Sequence, residues 1–133
     1  MRLLASTDYA LRTLLRLAAN PEGASNTEVL AREVGVPRNH LHKVVQALVE
    51  GGFVRTTRGA GGGVRLAKPR AEIRMGAVVR HFEAEQVLVD CFRGDGGSCP
   101  LLAACRLKAQ LARAQAAFLA ELDRLTLEGA TAG

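Results

Sequence analysis

The 133 residues fit one domain, or a small domain with an appended helical arm. Nearly half are apolar, yet there is no Trp and there are only four Phe and one Tyr, so a core must rest on Leu, Val, Ala and Ile. The net charge of +5 is uneven: residues 1–80 hold 13 Lys and Arg against 6 Asp and Glu, whereas residues 81–133 hold 5 against 7. That split suits a basic surface for a polyanion and a separate, mildly acidic region. Asp8 within the opening apolar stretch argues against a signal peptide, no apolar run approaches the length that spans a bilayer, and a cytoplasmic location is expected.

Residues 4–19 are expected to form a first helix, with Leu4, Leu11, Leu14, Leu15 and Ala18 on one face and Asn20-Pro21-Glu22-Gly23 ending it. Ser25 followed by Glu28 reads as a capping box that opens a second helix over 26–34, with Val29, Leu30 and Val34 inward and Gly35 as the stop. Val36-Pro37 leads into a third helix over 38–50, buried along Leu41, Val44, Val45 and Leu48. Its outer face carries Arg38, Asn39, His40, His42, Lys43 and Gln46, many donors with no acid before Glu50. Two short helices joined by a Gly-containing turn form a helix-turn-helix, whose second helix enters the major groove.

Strand-like runs at 53–57 and 64–66 then flank Arg58-Gly59-Ala60-Gly61-Gly62-Gly63. A basic hairpin in this position is a wing, and Arg58 beside Gly59 can approach a narrow minor groove. A fourth helix is expected over 71–83, with Ile73, Ala77, Val78 and Phe82 inward. The fold class is thus mainly α, a winged helix-turn-helix over 1–83.

A glycine-bearing loop over 84–99 precedes a long helix over about 100–128, in which Leu111, Phe118 and Leu125 recur every seventh residue. Such a stripe is usually the seam of a helix pair, so the long helix is expected to make a homodimer. The tail 129–133 is expected to be disordered.

Cys91, Cys99 and Cys105 are separated by seven and five intervening residues. Structural zinc favours ligand pairs two to four residues apart, which are absent. Widely spaced cysteines on a glycine-rich loop better fit an iron–sulfur cluster, whose sulfurs accept hydrogen bonds from nearby backbone N–H groups. Cys99-Pro100 also reads as a helix start, where an anionic cluster is favoured. Structural zinc, a metal-free thiol switch and a cluster used for electron transfer are the alternatives, and the last leaves the basic wing without a role. Asp8, His81, Asp90 and Asp95 are candidates for a fourth ligand; taken alone, Asp8 reads as a helix cap and His81 equally as a packed core histidine.

The segments TDYALRTLLRLA at 7–18 and VPRNHLHKVVQALVEGGFVRTTRGAGGGVRLAKP at 36–69, with the three cysteines, resemble the Rrf-two-type winged-helix regulators over nearly the whole chain. CPLLAACRLKAQL at 99–111 is similar to the nitric-oxide-sensing repressors of that family. The cluster-status branch carries a His two to three residues after the last cysteine, where this chain has Leu107 and Lys108. The resemblance implies a dimeric repressor with no enzyme chemistry, bound to a roughly palindromic double-stranded DNA operator and released when nitric oxide reacts with an iron–sulfur cluster. It implies ligation by Cys91, Cys99 and Cys105, with Asp8 from the other subunit as the fourth ligand, and a four-iron cluster in preference to a two-iron one. The seven-residue first gap is longer than the family's usual four or five.

Overall fold

The computed structural model describes residues 1–131, in the order α1 (Ala5–Ala18), α2 (Thr27–Val34), α3 (Arg38–Glu50), β1 (Val54–Thr57), β2 (Gly63–Leu66), α4 (Met75–Phe82), α5 (Arg106–Asp123) and α6 (Leu127–Ala130). Among the described residues no helix is long and apolar enough to cross a membrane. α1, α2 and α3 pack against one another, and the core joins Leu14, Leu30, Leu41 and Leu48 to Val54 and Val64 of the hairpin.

The buried stripe of α3 is the expected one, Leu41, Val44, Val45 and Leu48. That of α1 is rotated: Thr7, Ala10, Thr13, Leu14, Leu17 and Ala18 are buried, and Leu15 is 40% exposed. Leucines lie on both sides of this helix, so periodicity alone does not fix its inner face. Small residues and two threonines let α2, α3 and α4 approach closely, and the Thr13 hydroxyl is satisfied by donating to Tyr9 O at 2.7 Å. Val29 of α2 is likewise exposed, while Leu30 and Val34 point inward.

The expected Ser25 cap is replaced by Asn26, whose Oδ1 accepts from Glu28 N at 2.7 Å and Val29 N at 3.3 Å. Ser25 is used elsewhere: its N and O exchange 2.8 Å hydrogen bonds with Val64, so the chain before α2 adds a rung to the wing. Gly35 ends α2 at φ 71°, a left-handed conformation that costs glycine least. β1 and β2 pair antiparallel with Val54 opposite Leu66 and Arg55 opposite Arg65.

The fourth helix is shorter than expected, because residues 70–72 form a separate 3-10 turn and Ile73 is extended. The extended segment is taken up by a return of the chain: Met75 N donates to Leu125 O at 2.9 Å and Leu127 N to Ile73 O at 2.7 Å. That bridge also limits the long helix, which ends at Asp123 and not near Leu127. At its other end, Leu102–Ala104 make only a 3-10 turn and Cys105 is extended (φ −85°, ψ 102°), so the helix starts at Arg106 and not at Pro100. The tail expected to be disordered from Gly129 is helical through Ala130, opened by Thr126 Oγ1 accepting from Gly129 N and anchored by the fully buried Leu127. Ala132 and Gly133 of that expectation lie outside the described residues.

Candidate nucleic-acid interface and cysteine loop

Arg38, Asn39, His40, His42, Lys43 and Gln46 are all exposed on α3, opposite its buried stripe. They do not form one uniform face. Arg38 pairs with Glu28 of α2 at 3.0 Å, which steadies the start of the helix. His40 stacks on Tyr9 of α1, ring centroids 6.3 Å apart. His40 and Lys43 line a groove of about 450 Å³ between α1, α3 and α4. Asn39, His42 and Gln46 are left to face outward. Arg58 and Gly59 sit exposed at the wing tip, where Gly62 N donates to Gly59 O at 2.9 Å and closes the turn.

Asp8 lies in the first turn of α1 but caps nothing; no side chain closes that helix start from within α1. Its carboxylate instead takes Arg12 Nη2 at 2.6 Å and Nε at 3.1 Å. The remaining arm of the same guanidinium, Arg12 Nη1, donates to Val34 O at 3.2 Å. Arg12 therefore connects Asp8 to the last residue of α2. Arg12 stands four residues after Asp8, the spacing at which opposite charges meet on one helix face, and that spacing is the only signal of its role in the sequence.

His81 is not placed as a ligand. Its Nε2 lies 2.7 Å from Ala47 O, and its ring packs edge-on against Phe53 and Phe82. Asp95 pairs with Arg93 at 3.0 Å and accepts from Gly97 N. Asp90 accepts from Ser98 N at 2.7 Å, from Ser98 Oγ at 3.3 Å and from Arg93. The Ser98 backbone hydrogen bond, helped by Arg93, holds the Asp90 carboxyl below its ordinary range. These contacts use the three carboxylates and the histidine within the chain.

Cys91, Cys99 and Cys105 are free thiols, each half-buried. Cys91 follows Asp90 and Cys99 follows Ser98, so the Asp90–Ser98 contact closes the seven-residue gap at its roots. Gly97 permits the closure, since a Cβ there would lie 2.4 Å from Asp90 O. Cys105 immediately precedes α5, so it and not Cys99 stands at a helix start. Among the described residues no three His, Cys, Asp or Glu side chains gather closely enough to hold a single metal ion. A zinc site closed within one chain would need four such ligands. Cys91 and Cys99 are rooted on a pinned loop and Cys105 at a helix start, and all three are soft thiol donors.

A helix-turn-helix joined to a basic two-stranded wing defines a winged-helix DNA-binding transcription regulator. The family model of Rrf2, described as an iron-dependent transcriptional regulator, matches residues 3–132, and the chain belongs to this family. It is 44% identical over 128 residues to the HTH-type transcriptional regulator NsrR of Geobacillus kaustophilus, covering 96% of this chain and 87% of that relative. Its fold is that of Staphylococcus aureus CymR in an oxidized form (25% identity, TM-score 0.77, 100% of this chain and 98% of that one). It is also that of T. potens IscR (21% identity, TM-score 0.76, 97% and 85%). The protein is a transcriptional regulator and not an enzyme.

Proposed function

We propose that the chain is a homodimeric repressor that senses nitric oxide or redox state through an iron–sulfur cluster held by Cys91, Cys99 and Cys105, with Asp8 reaching across from the other subunit. The observation that carries this reading is the 44% identity over 128 residues to the regulator NsrR, beside three free thiols at Cys91, Cys99 and Cys105; the Asp8–Arg12–Val34 connection ties the one carboxylate on α1 to the helix-turn-helix. When bound, the cluster supplies iron atoms that react with nitric oxide, and the four-iron form is favoured over the two-iron form.

The chain's own residues supply the rest. Cys91 and Cys99 leave a loop pinned by Asp90 and Ser98, and Cys105 leaves the start of α5. Asp8 is a hard oxygen ligand beside soft thiolates, and hence the member of the set most easily displaced. An Asp8 engaged elsewhere gives up its hold on Arg12, which is then left with the Tyr9 ring and with Val34 O at the end of α2. The position of α2, and through Glu28–Arg38 the start of α3, thus responds to what Asp8 binds. This is a local charge change acting on a packed element, as a switch requires. α3 and Arg58 then engage or leave the operator.

Dimerisation is supported by α5: none of its 18 residues is buried in the single chain, and Leu107 and Phe118 stand 62% and 37% exposed. An apolar stripe on a helix of this length is a partner surface.

Protein purified without oxygen should be brown, with iron and sulfide in equal amounts per chain. Nitric oxide should bleach it and release a promoter duplex. Each of Cys91→Ser, Cys99→Ser and Cys105→Ser should lose the cluster and remain a dimer. Mixed dimers of Asp8→Ala and Cys99→Ser chains should keep about half the intact sites if ligation crosses subunits, and none if it stays within one chain. Colourless protein with zinc would overturn the cluster, and colourless metal-free protein whose DNA binding follows thiol oxidation would replace it with a thiol switch.

A further inference from the structure

The wing carries a charge arrangement that the recognition helix and wing tip do not account for. Arg55 and Arg65 are direct cross-strand partners. Val54, Val64 and Leu66 bury the inner face of the hairpin, so the alternation of the strands puts both arginines on the outer face. Side chains directly opposite in an antiparallel pair lie about 5 Å apart at Cβ, and like charges there repel. Seven arginines elsewhere reach a carboxylate, but among the described residues neither Arg55 nor Arg65 does. Arg65 Nε is shut off from solvent and has no hydrogen-bond partner.

We propose that Arg55 and Arg65 together form a phosphate clasp on the outer face of the wing, a second DNA contact that grips the duplex backbone beside the groove that Arg58 enters. The paired guanidinium forks provide the planar donors that a phosphate oxygen pair accepts, and an anion between them turns repulsion into attraction. A phosphodiester is the anion that fits. Arg55 is exposed and Arg65 half-buried along the outer face of the ribbon, so a backbone laid across that surface matches them better than a small enclosed ion. The hairpin also joins directly to the tip bearing Arg58, which places the clasp along the same duplex. A contact of this kind reads no sequence and fixes the angle at which the wing meets the DNA.

The inference rests on the chain being a DNA-binding regulator, and the test separates the two. Full-length wild-type and Arg55→Gln/Arg65→Gln dimers, both with cluster, are titrated against a promoter duplex and an unrelated duplex of equal length over a range of salt. Each lost phosphate contact lowers the slope of log affinity against log salt by about 0.9, so two clasps per dimer predict a drop of about 2. The deficit of the variant should narrow about tenfold between 50 and 200 mM salt, by the same factor on both duplexes. Without DNA, the variant at low salt should melt at the same temperature as the wild type or higher, since a repulsive pair has been removed. An equal slope for the two proteins, a loss confined to the promoter duplex, or a lower melting temperature with unchanged binding would overturn the clasp. Wild-type protein that binds neither duplex at any salt would instead overturn the DNA-binding reading. Inorganic phosphate at millimolar concentration should not protect the wild-type wing from proteolysis; protection would assign the pair to a free anion.

Discussion

Glu83 and Thr7 are joined although 76 positions separate them: Glu83 Oε2 accepts from the Thr7 hydroxyl and, at 2.8 Å, from Leu4 N. Glu83 follows the last residue of α4, where the cysteine loop begins, and Thr7 and Leu4 mark the start of α1. A carboxylate borrowed from a distant element thus caps α1, which has no side-chain cap of its own.

Glu83→Ala should therefore destabilise the fold by about 1–3 kcal/mol, since Thr7 is fully buried and would lose its acceptor. Glu83→Gln keeps an acceptor oxygen and should lose less. Urea unfolding of the two variants beside the wild type checks the order.

The Asp90–Ser98 contact predicts the behaviour of the cysteine loop before any cluster is loaded. In metal-free Asp90→Ala, the Ser98 amide should exchange faster and trypsin should cut faster after Arg93, while amides of α3 remain as protected as before. Hydrogen exchange read by mass spectrometry measures all three.

Arg80 of α4 grips Asp123 of α5 through two hydrogen bonds of 2.6 and 2.8 Å. These bonds, and the charge behind them, hold the Asp123 carboxyl below its ordinary range. A carboxyl lowered in the folded state contributes stability that is present above its unfolded pKa of about 4 and is lost as pH falls through the folded value. As pH falls below about 4 the wild type should lose melting temperature faster than Asp123→Asn, with the two curves parallel above about pH 5. Parallel curves throughout would remove the pair from the acid response.

Gly76 sits against that same carboxylate: a Cβ there would meet Asp123 Oδ1 at 1.9 Å and Asp123 N at 3.0 Å. Two effects oppose each other in Gly76→Ala. Helix propensity favours alanine by about 1 kcal/mol, and overpacking costs about 1–3 kcal/mol. Because Arg80 pins the side chain that would have to move, overpacking should win and the variant should be less stable. Adding Asp123→Ala should restore part of the loss, which a double-mutant cycle measures.

The helix-turn-helix and the wing were legible in the sequence because their signals are local. The stripe of α3, the turn at Gly35 and the glycine-rich tip each follow from neighbouring residues. Contacts made at a distance were not legible. Asn26 caps α2 because Ser25 is drawn into the wing by Val64, and α5 stops at Asp123 because Leu125 and Leu127 pair with the backbone of Ile73–Met75. The cysteine trio was readable as a set of thiols, but Arg12 reaching Val34 and Glu83 reaching Thr7 depend on elements far apart in the chain.

The bridge that brings Leu127 back to Ile73 also bears on how the molecule assembles during synthesis. α6 lies against α1, and Leu127 belongs to the same core as Leu14 and Leu17. The part of the inner surface of α1 that α6 covers stays open until residues more than a hundred positions later have been translated. Closing so long a loop is entropically slow compared with forming the helix-turn-helix itself. A nascent chain therefore displays a formed recognition helix on a body still exposing apolar surface, a state open to chaperones and proteases. The last turn of helix is what converts that intermediate into a finished regulator.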